Sequence, residues 1–309
     1  MSQQVTEAFV QQYNSNVIHL SQQKGSMLEP YVRRESQKGK SQFFDRIGPV
    51  AAVKRTGRHA DTPQIDTPHS RRMVTIDDYE WADLVDDQDK IRMLIDPTSE
   101  YVLAAAWAFG RSKDDVIIAS AFGSAYAGDD GKTVVAHPNA DKYAANDGAV
   151  FTNLNVRTLR AIRRMLKKNL VDKSLQLHIA VTSSQTEAML GQIEVTNSDY
   201  NTVKALVQGE VDSYMGFKFH ELERINLTTS TTATAASGVV GAGVALAGTN
   251  RAVIAWAEGG LLMSVGEDVM SRISERPDKG YAMQPYTRMS IGATRMEEEK
   301  VIEVICKEA

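Results

Sequence analysis

Between Gly39 and Trp81 the chain devotes roughly forty residues, GKSQFFDRIGPVAAVKRTGRHADTPQIDTPHSRRMVTIDDYEW, to a segment too poor in apolar side chains to build a core of its own. X-Pro pairs recur along it, at Gly48-Pro49, Thr62-Pro63 and Thr67-Pro68, and each proline biases the residue before it away from helix. An extended or hairpin-like excursion is expected, and excursions of this length in a compact domain are usually functional or disordered. Its charge then reverses. From Arg33 to Arg72 ten basic residues stand against four acids, a net +6, and from Asp77 to Glu100 nine acids stand against two bases, a net -7. A basic loop that projects from the body cannot easily fold back on its own root, so the acidic root of a neighbouring copy is its natural target. The residues expected at such an inter-subunit contact are Lys54, Arg55, Arg58, Arg71 and Arg72 on the basic side and Asp77, Asp78, Asp83, Asp86 and Asp87 on the acidic side. Complementary charge of this kind sets register more than affinity, since single exposed pairs contribute little. The plainer reading, a mixed-charge solvated surface, stays open on charge alone.

The rest of the composition bounds the answer. At 309 residues the chain is long for one simple core, so two lobes, or one domain with large excursions, is the expectation. With 42% hydrophobic and 24% charged residues it matches ordinary globular usage, which excludes disorder of the whole chain. A net charge of -4 argues against a dedicated nucleic-acid binder while leaving room for local basic patches. The one cysteine, Cys306, cannot form an internal disulfide and reads as a small apolar residue in a terminal strand. The start, MSQQVTEAFVQQYNSN, has neither the basic opening nor the apolar core of a secretory signal and is read as a mature cytoplasmic start. The longest apolar run, Val239 to Gly248, falls far short of the roughly twenty residues a bilayer span needs.

Along the chain, a Gln- and Ser-rich arm precedes the basic excursion. Val74 and Ile76 alternate as in a strand, and Asp96-Pro97 suits the start of a helix running to about Phe122, a spine on the order of 40 Å long. A second helix is expected from Asn153 or Asn155, with Leu159, Ile162, Leu166 and Leu170 as its apolar stripe and Arg157, Arg160, Arg163, Arg164, Lys167 and Lys168 on its other faces. LQLHIAVT and AVIAWA suggest buried strands, SSQTEAMLGQ and GEDVMSRI short helices, and VDSYMGFKFHEL a strand or hairpin. The chain closes on MSIGATRM and VIEVIC, expected as two strands joined by a charged turn.

Catalytic and ligand motifs do not survive inspection. Gly131-Lys132-Thr133 ends like a phosphate loop, but Tyr126 stands where that pattern needs glycine, so a turn into the strand TVVA is expected. Gly241, Gly243 and Gly248 have the wrong spacing for a dinucleotide fingerprint and follow a Thr/Ser-rich loop, not a strand. His59, Asp61, Asp66 and His69 lack the spacing that would fix a metal, His178 reads as a satisfied core histidine, and the paired carboxylates read as a solvated acidic face. No catalytic, cofactor-binding or metal site is expected.

The order of segments resembles the major capsid proteins of tailed bacteriophages, which share the Hong Kong phage capsid fold, and in particular those of podovirus-like phages. GKSQFFDRIG, RRMVTIDDYEWADLVDDQDKIRM, DPTSEYVLAAAWAFGRSKDDVIIASAFG, VDSYMGFKFHEL and the closing GATRMEEEKVIEVIC carry the resemblance. It implies an α+β fold: an N-terminal arm over 1–36, an extended loop over 37–76, a peripheral domain with its spine helix over 77–150, an axial domain over 151–285, and C-terminal strands over 286–309 returning to the peripheral domain. It further implies a non-enzymatic subunit that self-assembles into pentamers and hexamers of an icosahedral head enclosing double-stranded DNA, made in the host bacterial cytoplasm and residing in the virion. The implied partners are other copies of the chain, a portal protein, a possible decoration protein and packaged DNA held by non-specific contact. A separate scaffolding protein is implied too, because the arm has no long scaffolding segment before it. Some relatives crosslink a lysine to an asparagine; Lys54 sits near the loop tip, but neither the asparagine nor the catalytic glutamate can be matched, so no crosslink is expected. Two other readings remain beside this one: a cytosolic oligomeric α/β enzyme using Gly238 to Gly248 to bind a nucleotide, and a non-viral compartment shell of related fold.

Overall fold

The computed structural model describes residues 22–55, 57–58, 61–62, 64–85, 98–147, 150–192, 213–225, 227–228 and 249–308. Strands β1 (Arg33–Ser36), β2 (Ser41–Ile47), β3 (His69–Thr75) and β4 (Asp77–Ala82) precede the long helix α1 (Thr98–Phe122). Strands β5 (Ala125–Ala127), β6 (Thr133–Val135), β7 (Lys142–Ala144), β8 (Asn146–Asp147) and β9 (Val150–Phe151) lead into α2 (Val156–Lys168). Next come β10 (Leu177–Val181), α3 (Ser183–Leu190), β11 (Ser213–Tyr214), β12 (Phe217–Glu221) and β13 (Leu227–Thr228). The chain ends on β14 (Thr249–Ala257), β15 (Leu261–Arg276), β16 (Ala282–Arg295) and β17 (Val301–Glu308). Two compact units divide these elements, one of Met1–Ser26, Asp78–Ser112 and Glu267–Ser290, the other of Met27–Asp77, Lys113–Gly266 and Ile291–Ala309.

The larger unit is organised by a seven-stranded sheet in the order β11-β12-β10-β14-β17-β7, with β13 alongside β14. β10 pairs parallel with β12 and antiparallel with β14, and β14 pairs antiparallel with β17 over its whole length. Central strands of this kind are covered on both faces, which is why LHIAV and AVIAWA are near-continuous apolar runs. Helix α2 lays Leu159, Ile162, Met165 and Leu166 on Ile179, Val181, Phe217, Val253, Ile302, Val304 and Cys306. Asn155 caps α2 by accepting the Thr158 N–H at 2.7 Å, and Thr182 with Gln185 forms a capping box on α3. β17 therefore lies in the same sheet as β10 and β14, two strands of the segment 151–285.

Two local expectations change. Leu170 is not part of the apolar stripe: α2 ends at Lys168, Leu170 sits at φ 59 with 90% of its surface exposed, and Val171 packs on the core instead. The Val171 N–H bonds the Leu166 carbonyl at 3.1 Å and the Leu170 N–H bonds the Lys167 carbonyl at 3.2 Å, a left-handed termination that ends the helix two residues before Leu170. GEDVMSRI is strand, not helix. In the smaller unit it belongs to β15, beside β16, with β4 on the other side of β16; the apolar spacing of Val269, Met270 and Ile273 mimics a helix, but cross-strand pairing decides. The closing segments MSIGATRM and VIEVIC are the two strands expected, joined by a charged turn, but they do not pair with each other, since β16 and β17 lie in different sheets. The turn between them is bound inward by Glu298, 8% exposed, rather than left to solvent.

Candidate functional site

The basic excursion is a two-stranded hairpin at the edge of a small sheet, in the order β2-β3-β5-β6. β2 and β3 pair antiparallel from Ser41↔Thr75 to Ile47↔His69, so Asp45 faces Arg71 and Phe44 faces Arg72. Side chains alternate between faces with the strand period of two. Gln42, Phe44 and Arg46 turn inward and are half-buried, whereas Ser41, Phe43, Asp45 and Ile47 turn outward. On the outer face Arg71 donates to Asp45 at 2.7 Å, an exposed cross-strand pair of modest worth.

The inner face anchors the root of the hairpin. Val74, Leu262 and Met296 form a small apolar cluster on which Phe44 packs. Beside it Arg72 is 1% exposed and donates to the Glu298 carboxylate, while Arg46 approaches Glu298 at 3.6 Å and donates to the Met296 carbonyl. Burial pushes the Arg72 guanidinium below its ordinary value, against the pull of Glu298. Arg72 was expected at a contact with another copy; it is spent inside its own subunit, because the period of two points it at the body while Arg71 points away. The charged turn that holds Glu298 was legible, but not its partner across more than two hundred residues.

Beyond the root, the Gly48 N–H bonds the Pro68 carbonyl at 2.8 Å, and the described tip residues are almost all exposed. Lys54, Arg55 and Arg58 are exposed there, with the Arg55 guanidinium donating to the carbonyls of Gly57 and Arg58 and so curling the tip on itself. Large apolar side chains accompany them: Ile47 is 70% exposed, Val50 56%, Val53 58% and Ile65 44%. A projecting loop that carries this much bare apolar surface marks a contact site. Charge drew attention to the loop; its apolar component is the part that sequence reasoning passed over, although the residues stand in plain view in IGPVAAV. Of the acids expected to receive the loop, Asp77, Asp78 and Asp83 are exposed, with Asp78 accepting the Ser290 hydroxyl in the smaller unit, and Asp86 and Asp87 lie outside the described residues.

The C-terminal half of the spine is held at two places by charged side chains. Asp114, fully buried in α1, accepts the backbone N–H groups of Met27 at 3.0 Å and Leu28 at 3.0 Å, and Lys113 pairs with Glu29 at 2.9 Å, which ties the end of the arm to the helix. At the C-terminus of α1 the fully buried Arg295 donates to the carbonyls of Ala121 at 2.8 Å, Ser120 at 3.2 Å and Gly123, satisfying groups a helix end leaves open and meeting the negative end of its dipole. On the sheet face away from α2, Tyr31 stacks on His220 with ring centroids 3.9 Å apart, His178 Nδ1 lies 3.0 Å from His220 Nε2, and the Trp256 indole donates to the Tyr31 carbonyl at 3.1 Å. Burial pushes both histidines down to about 4, so they are neutral at pH 7, and His178 is the satisfied core histidine expected. Burial likewise pushes the Cys306 thiol up. No cluster of metal-ligating side chains occurs among the described residues.

The family model of the phage capsid protein matches residues 5–308. The chain belongs to the phage capsid protein family. No curated protein matches the capsid subunit at the level of sequence. Solved structures match it closely in fold. The capsid of Cyanophage P-SCSP1u superposes with a TM-score of 0.71 at 15% identity, covering 99% of this chain and 95% of the other. That of Cyanophage Pam1 gives 0.72 at 13% identity over 98% and 97% of the two chains. The capsid of Helicobacter pylori bacteriophage KHP30 gives 0.71 at 10% identity over 96% and 94%. The subunit thus has the α+β tailed-phage major capsid fold and a structural, non-enzymatic role in an icosahedral phage capsid, built from copies of itself in the virion.

Proposed function

We propose that the capsid subunit closes its shell by laying the extended loop, 37–76, across a neighbouring copy, with Lys54, Arg55, Arg58 and Arg71 meeting acids such as Asp77, Asp78, Asp83, Asp86 and Asp87 of that copy. The observation that carries this is the hairpin tip, where Ile47, Val50, Val53 and Ile65 are exposed beside three unburied cations. Burying those four apolar side chains on a partner supplies attraction, and the charges select register. Each contact is weak, and an assembled shell sums many of them. Within the same proposal the arm spans 1–36, the peripheral domain 77–150 and the axial domain 151–285, with 286–309 returning to the peripheral domain where β17 pairs with β7, while β14 of the axial segment flanks its other side. A scaffolding protein guides assembly in the host bacterial cytoplasm, a portal protein takes one position in the shell, a decoration protein can add to its outside, and double-stranded DNA fills it. Family membership supports these partners.

The test is electron microscopy with sedimentation velocity on the full chain, expressed alone and with a scaffolding protein. Closed shells, or tubes and broken shells, are expected from the wild type. The double reversal Arg55→Glu/Arg58→Glu should leave the subunit folded and monodisperse but impair shells. Normal shells from that variant would remove the electrostatic part of the proposal.

A further inference from the structure

The outer face of α2 carries a line of cations that the loop contact does not use. Arg157, Arg160, Arg164, Lys167 and Lys168 are all exposed, and at 3.6 residues per turn they fall within an arc of about 100° and a length of about 16 Å. The helix, VRTLRAIRRMLKK, contains no acid. Its opposite face is fixed in the core by Leu159, Ile162, Met165 and Leu166, so the basic arc cannot rotate inward. Arg163, between the two faces, is engaged at home through the Met215 carbonyl at 2.9 Å. Of the five outer cations, Arg157 alone has an ion-pair partner among the described residues, Asp147 at 3.7 Å, and that pair is exposed. No large apolar side chain of α2 is exposed.

Five like charges set side by side repel one another and are tolerated on a solvated face, but their density also fits one class of partner. Duplex DNA presents about one phosphate per 3.4 Å of axis along each strand, so a line of about 16 Å spans about five phosphates of one strand, matching the five cations. A protein partner held by the same face would be expected to find several apolar side chains among the charges, as at the hairpin tip; α2 itself offers none, and Leu170 just past its end is a single exposed one. We infer that the exposed face of α2 is a sequence-independent binding surface for the phosphate backbone of packaged double-stranded DNA, a conclusion that rests on the capsid reading. Contacts to phosphate carry no base information, as a shell that accepts any genome sequence requires.

The experiment uses the full-length subunit and the variant Arg160→Gln/Arg164→Gln/Lys167→Gln/Lys168→Gln, with Arg55→Gln/Arg58→Gln as a control that removes cations elsewhere. Binding to a short blunt duplex of mixed sequence is followed by fluorescence anisotropy against salt. The α2 variant should lower the magnitude of the slope of log K against log salt by about 3 to 4, while the hairpin control leaves most of it. Electron microscopy of the same preparations separates the two layers of argument. Shells from wild type and from the α2 variant, with the slope lost in the variant, uphold the proposal. Shells from wild type but not from the variant, with DNA binding unchanged, would show the face to be a contact between copies or with another protein, and would overturn it. Equal slopes for wild type and variant would overturn it as well. Absence of shells from every protein and condition would count against the capsid reading itself, independently of the binding slopes.

Discussion

Replacing Arg72 by methionine tests whether the hairpin is held from within the subunit. The residue is 1% exposed, and its ion-pair partner Glu298 has a side chain only 11% exposed. Removing one member of a buried pair leaves the other charge uncompensated, at a cost of about 3–5 kcal/mol. Arg46 remains 3.6 Å from Glu298 and is itself partly solvated, so the lower end of that range, about 3 kcal/mol, is expected for Arg72→Met. On the scale for a domain of some 150–250 residues this lowers Tm by roughly 6–12 °C. The double variant Arg72→Met/Glu298→Met should behave differently. Arg72 Nε and Nη1 have no hydrogen-bond partner among the described residues, so the pair is poorly satisfied where it lies. Replacing both ends with apolar side chains of similar length should return stability to within about 1 kcal/mol of wild type, or above it. Thermal unfolding of the unassembled subunit, followed by circular dichroism, reads all three proteins. An Arg72→Met subunit with unchanged Tm would refute the buried-anchor argument and return Arg72 to the surface. A double variant less stable than either single variant would show that the pair is a net source of stability here.

Gly110→Ala should loosen the end of the arm: a Cβ there would overlap the Gly25 backbone, within the smaller unit, and Arg111 donates to Gln22 and Gln23 in the same region. Limited proteolysis should cut before residue 27 faster in the variant, and equal rates would contradict the close approach. The stacked histidines predict acid sensitivity: their folded values lie near 4, below the ordinary 6.5, so the unfolded chain takes up protons first and stability falls as pH drops from about 6.5 towards 4. Tm of the subunit should be level above that window and decline within it, and the decline should shrink in His178→Phe; an identical decline in both proteins would discard this cause. Mature shells should run as monomer-sized bands on denaturing gels, since Lys54 at the loop tip has no matched crosslinking partners; a ladder of larger bands would overturn that expectation.

Elements whose cause is local could be read from the residues themselves. The spine helix follows from its long run without proline, α2 from its apolar stripe and Asn155 cap, and the extended loop from its X-Pro pairs, although its exposed apolar side chains did not announce themselves in the pattern. The capsid resemblance rested on the succession of such segments, and the family match confirms it. Other features depended on what distant residues do. Arg71 and Arg72 are adjacent and chemically alike, yet one faces solvent and the other Glu298, because strand register assigns faces and register is a property of the folded pair. GEDVMSRI has helical spacing and becomes strand because β16 lies beside it, and Leu170 leaves the stripe it seemed to continue because Val171 fills the core first. Periodicity and capping act within a few residues and leave their mark in sequence. The partner of a buried charge, the sheet a strand joins and the residue that occupies a core position are set by contacts across the chain, which only the tertiary structure decides.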